Sequence, residues 1–71
     1  MEFTQRLKEL RSGAGLTQKE LAETVGVTER GYRGYESGSN LPNMVVLLKL
    51  ADFYQVSLDY LVGRSDDPEV R

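Results

Sequence analysis

Two arginines three positions apart, Arg30 and Arg33, stand in the short segment ERGYRGYES at residues 29–37. A guanidinium is a planar fork of N–H donors that bonds bidentately to a carboxylate, a phosphate or the O6/N7 edge of guanine. Glu29, beside them, only accepts: it can take the amino group of cytosine and would repel a phosphate. Gln18, Asn40 and Asn43 add neutral amides, Thr17, Thr28, Ser37 and Ser39 add hydroxyls, and Lys19 adds a point charge. These groups recognise by hydrogen bonding. Groups for bond-breaking chemistry are missing: the 71 residues contain no histidine and no cysteine, and no phosphate-binding glycine loop. Asp66-Asp67 reads as a solvated pair. The chemistry points to binding, with no enzyme, metal or cofactor expected.

The elements that must carry these groups are two short helices joined by a tight turn, TQKELAETVGVTERGYRGYES at residues 17–37. Thr17-x-x-Glu20 is a capping-box pattern that opens the first. Leu21, Ala22 and Val25 then fall on one helical face. Gly26 supplies the positive φ that a sharp turn needs. Val27 packs back, and Thr28 suits the N-cap of the second helix, expected over about 28–36. Tyr32 and Tyr35 form its inward face with Thr28 and Gly31, which leaves Glu29, Arg30, Arg33, Gly34 and Ser37 outward. Gly31 and Gly34 each cost about 1 kcal/mol against alanine in a helix interior, so this helix depends on its tyrosines.

Around this pair the chain reads as three more helices. Phe3, Leu7 and Leu10 mark a first helix over 2–12, decorated by Arg6, Lys8 and Arg11 and ended by Ser12-Gly13-Ala14-Gly15. After a loop at 36–42, with Leu41-Pro42 expected to pin it to the core, Asn43 caps a helix over 44–54. Its inward stripe is Leu47, Leu50, Ala51 and Tyr54. Ser57 and Asp59 open a last short helix ending near Gly63. The expectation is an all-α, five-helix domain over 1–64. The acidic RSDDPEVR segment at 64–71 has turn-like character, and residues 65–71 are expected to be a flexible tail.

Counted from Gln18, alanine is fifth, glycine ninth, and apolar residues fall at four, eight, ten, fifteen and eighteen. This spacing resembles the helix-turn-helix of the Cro and lambda-repressor-like (xenobiotic-response-element) regulators. RLKELR, GLTQKELA, YESG, LLKLADFY and VSLDYLVG extend the resemblance over residues 5–64. It implies sequence-specific binding of double-stranded DNA, as a repressor by family habit, on a two-fold operator. The second helix of the motif would enter the major groove, N-terminal residues nearest the base edges. Arg30 and Arg33 would then read guanine, and Glu29 cytosine. Thr17, Gln18 and Lys19 would meet the DNA backbone at a helix N-terminus, with Thr28 at the next. Ser39, Asn40 and Asn43 would lie in the loop along the backbone. Gly34 has no side chain to read with, so either the backbone approaches DNA there or other residues carry specificity. The resemblance also implies that Arg11 and Glu36 form a partly buried ion pair, unavailable to DNA.

The net charge is −2, unusual for a DNA binder, but its placement decides the matter. Residues 1–38 are neutral, and the excess acid sits in residues 39–71 through Asp52, Asp59, Asp66, Asp67 and Glu69. A protein-interaction module of the same fold, antitoxin-like or an anti-repressor target, is the alternative reading, with this acidic half as its surface. Val45, Val46, Phe53 and Tyr60 are apolar residues left over from the core assignment, and form a candidate homodimer surface. No apolar run approaches the roughly 20 residues of a membrane span, and no secretory pattern opens the chain, so a cytoplasmic protein is expected.

Overall fold

A computed structural model describes residues 1–69. Within them are five helices and no strands: α1 (Phe3–Ala14), α2 (Gln18–Val25), α3 (Glu29–Ser37), α4 (Met44–Tyr54) and α5 (Leu58–Leu61). The body measures 30 × 22 × 20 Å. α2 packs on α3, α1 crosses α3, and α4 with α5 closes the other side.

Helix boundaries follow the capping chemistry. α1 runs through Ser12 and Gly13, two residues beyond the sequence expectation, because neither adopts a terminating conformation. It stops at Gly15, φ 71°, whose N–H bonds the Ser12 carbonyl while the Leu16 N–H bonds that of Arg11. α2 opens with the full capping box: Thr17 Oγ1 accepts from the Glu20 N–H and Glu20 Oε1 accepts from the Thr17 N–H, both at 3.0 Å. The Thr17 N–H first, and the Thr17 hydroxyl beside it second, hold the Glu20 carboxyl below its ordinary value. Gly26, φ 77°, ends α2 and turns the chain, and the Val27 N–H bonds the Ala22 carbonyl at 2.9 Å.

The core joins Leu7, Leu21, Tyr32, Leu50 and Leu61, all fully buried, with Ala22, Val25, Val46, Ala51 and Val56. Tyr32 and Tyr35 meet edge to face at 5.9 Å. Burying two such rings contributes about 2 kcal/mol or more each, enough to offset the glycine cost in α3.

The dimer-surface expectation needs correction here. Val46 is a core residue, at i, i+4 and i+5 with Leu50 and Ala51 on the inward stripe of α4. Tyr60 is half-buried, its ring lying under the Arg6 guanidinium at 3.6 Å. Val45 and Phe53 are exposed, at 59% and 42%. Leu41 also departs from expectation: it is 78% exposed, and only its edge meets the shallow apolar groove that it lines with Phe3, half-buried Pro42, Leu47 and Val62.

Arg6 is the largest surprise of the first helix. It is buried, bonds the exposed Asp66 carboxylate at 3.2 Å and covers Tyr60. Residues 65–69, read from sequence as a tail, return to the body: the Ser57 N–H bonds the Pro68 carbonyl at 3.1 Å. Val70 and Arg71, also assigned to that tail, lie outside the described residues. No helix among the described residues is long and apolar enough to cross a membrane.

Candidate nucleic-acid interface

α3 owes its start to Thr28, whose hydroxyl accepts from the Gly31 N–H at 3.0 Å. Its inward face is Tyr32, Tyr35 and Glu36, and its outward strip presents Arg30, Arg33 and Ser37, with Glu29 partly exposed. Arg33 donates to Glu29 across one turn at 2.7 Å, so part of its fork is already engaged. Arg30 has no partner among the described residues and leaves the whole guanidinium available. The outward side of α3 thus carries Arg30 and Arg33 against Glu29, a net charge of about +1 in a chain whose total is −2, and Lys19, in the first turn of α2, is exposed with no partner among the described residues.

The position of α3 is set by a polar cluster beneath it. Glu36 is 3% exposed at its side chain and accepts from Arg11 Nε at 2.7 Å and Arg11 Nη2 at 3.1 Å. Gln18 Nε2 donates to the same carboxylate at 3.2 Å, and Arg11 Nη1 donates to the Leu16 carbonyl at 3.0 Å. One carboxylate thereby ties α1, the start of α2 and the end of α3 together. Burial alone would raise the Glu36 carboxyl; the bonds from Arg11 and Gln18 outweigh it, and the group titrates below its usual range. The Tyr32 hydroxyl faces this carboxylate without reaching hydrogen-bond geometry, and burial raises that phenol well above its ordinary value. Burial also pushes Tyr54, at the edge of the cluster, up to about 12. Both phenols are neutral in the working range, and Arg11 is fully committed to structure.

The other residues singled out by sequence divide by what their side chains already do. The Thr17 and Thr28 hydroxyls are engaged as caps, and Asn43 Oδ1 accepts from the Val46 N–H at 2.9 Å as the cap of α4. Ser37 Oγ bonds the Gly34 carbonyl at 3.2 Å and meets Ser39 Oγ at 3.0 Å. Gly34 differs from expectation. It is buried, because the loop after α3 folds back over it: the Gly38 and Asn40 N–H groups both bond its carbonyl, at 2.9 and 3.2 Å. An open backbone approach at Gly34 is therefore blocked by its own loop. Sequence reasoning missed Arg6 as a structural residue. Its signal was its place one turn after Phe3, at the edge of the apolar stripe rather than opposite it.

A helix-turn-helix family profile matches residues 7–61. A helix-turn-helix transcriptional regulator of Bacillus subtilis, YobD, is 43% identical over 67 residues, covering 94% of this chain and 60% of its own length. The cryptic phage CTXphi transcriptional repressor RstR of Vibrio cholerae is 39% identical over 64 residues, covering 90% and 57%. This chain thus spans less than two thirds of either relative. Among solved structures, the P22 c2 repressor in complex with a synthetic operator superposes with a TM-score of 0.83 at 28% identity, covering 92% of this chain and 98% of that one. The profile covers more than half of the chain, and the chain belongs to the helix-turn-helix family.

Proposed function

We propose that this domain is a sequence-specific DNA-binding module of a transcriptional regulator, acting in the cytoplasm as a repressor and placing α3 in the major groove. The observation that carries this reading is the outward strip of α3. It displays Arg30 and Arg33 from a helix locked from behind by the Glu36–Arg11–Gln18 cluster. Rigid presentation from a scaffold element is what base readout needs. Arg30 and Arg33 bond guanine; Glu29 holds Arg33 and accepts from cytosine; Gln18, Lys19 and the α2 N-terminus meet the phosphates.

Two copies bind one operator, through exposed Val45 and Phe53 on α4, with their α3 helices about 34 Å apart. A strict monomer in sedimentation, both free and on operator, would rule this out. A second reading, a module that docks a protein partner, is supported by the groove of about 580 Å³ between α4, α5 and residues 65–69. Its floor is Leu48 and Ala51 and its rim carries Asp52, Asp59 and Glu69.

Selection from random duplex DNA at several salt concentrations tests the proposal. Lys19 on a phosphate predicts a slope of log K against log salt of roughly −1 per domain, about −2 for two copies on one operator, and a two-fold motif. Sequence-blind retention with weak salt dependence would favour the protein partner instead.

A further inference from the structure

Gly34 lies four residues after Arg30 and three before Ser37, on the outward side of α3 by helical phase, yet it is buried beneath the loop that follows. A side chain there would be central to any contact with base edges, and the helix has none. The space is filled from elsewhere. A Cβ built on Gly34 would fall 2.7 Å from Asn40 Cβ, too close unless the loop shifts, and 3.3 Å from Ser39 Oγ, a tight contact. The loop is held in that place by the Gly34 carbonyl, which accepts from Gly38 N–H, Asn40 N–H and Ser37 Oγ, and by the Ser37–Ser39 hydroxyl contact. Asn40 itself is exposed, and its side-chain amide makes no hydrogen bond among the described residues.

We infer that Asn40 takes over the reading position that Gly34 leaves without a side chain, and that it recognises an adenine in the major groove. The inference rests on the DNA-binding reading above. A carboxamide offers one donor and one acceptor side by side. Adenine presents the complementary pair, its N6 amino group and N7. A phosphate would use only the donor and would be better met by a cation, of which residues 34–43 contain none. The backbone bonds fix the asparagine before DNA arrives, so little ordering is required on binding. The glycine is then the residue that makes room for a reader supplied by the loop.

The test compares the full wild-type chain, Asn40→Ala and Gly34→Ala in selection from randomised duplexes, with thermal unfolding of each. The wild type should enrich an adenine at one position per half-site. Asn40→Ala should lose about tenfold preference at that position alone, at unchanged unfolding temperature and salt slope. Gly34→Ala keeps the asparagine but displaces it, and should relax the same position. A uniform loss of affinity in Asn40→Ala would mark a phosphate contact and overturn the inference. So would an unchanged motif in Asn40→Ala, or in a folded Gly34→Ala. If the wild type enriches no motif, the DNA-binding reading itself falls, and this inference with it.

Discussion

Glu36→Ala is the sharpest test of how the fold holds its recognition helix. The carboxylate is almost completely buried and accepts three hydrogen bonds, two from Arg11 and one from Gln18. Truncation leaves the Arg11 charge without its partner. Removing one member of a buried pair costs about 3–5 kcal/mol. Arg11 retains 20% side-chain exposure and its bond to the Leu16 carbonyl, which places the expected loss near the lower end, about 3 kcal/mol. A domain of this length has a total stability of roughly 4–10 kcal/mol. The loss is therefore about 30% of it or more, and corresponds to a fall of roughly 12–24 °C in Tm. Urea unfolding at pH 7, followed by circular dichroism, reads this directly. Replacing both partners, Arg11→Met with Glu36→Met, should recover part of the loss, because no buried charge is then left alone. A loss below about 1 kcal/mol for Glu36→Ala, or strictly additive single and double variants, would refute the reasoning.

The same carboxylate predicts an acid limb. Its folded value lies below the ordinary 4.5, so the stability it contributes is present above about pH 4.5 and is lost as pH falls through the lowered value. Glu36→Gln should flatten that limb in acid titrations of unfolding. Thr17→Ala removes both the hydroxyl acceptor and the closed box at α2 and should lower stability by about 1 kcal/mol in denaturant melts. Arg6→Ala should cost about 2 kcal/mol, through lost packing on Tyr60, whereas Asp66→Ala should cost less than about 1, because that carboxylate is 92% exposed. Equal losses in these two variants would contradict the assignment. Gln55 ends α4 in the left-handed region, φ 57°, where a side chain costs about 1 kcal/mol or more. Gln55→Gly should raise Tm by a few degrees despite losing an exposed bond to the Asp52 carbonyl.

Local chemistry is legible in a chain like this because its causes are local. Thr17-x-x-Glu20, Gly26, Thr28 and Asn43 act on backbone groups a few residues away, and helices begin and turn where those residues stand. The periodicity that put Tyr32 and Tyr35 inside also put Arg30 and Arg33 outside, since one helical face buried leaves the other in solvent. α1 shows the limit even here, because which of two nearby glycines turns left-handed depends on the bonds its neighbours find.

The sequence by itself determined the all-helical class, the helix-turn-helix and the outward side of α3. Tertiary structure alone decided which charges are buried and which apolar residues are free. Arg6 and Arg11 look alike along α1, yet one is sealed under the returning 65–69 segment over Tyr60 and the other is fixed by Glu36, 25 residues away. Val45 and Val46 are adjacent valines, one exposed and one in the core, because the stripe buried on α4 is wider than its pattern showed. Gly34 reads as an absence of function until the loop at 38–40 is seen lying across it. Such contacts join residues that share no period, and their energies depend on solvent exclusion, which only the packed chain provides.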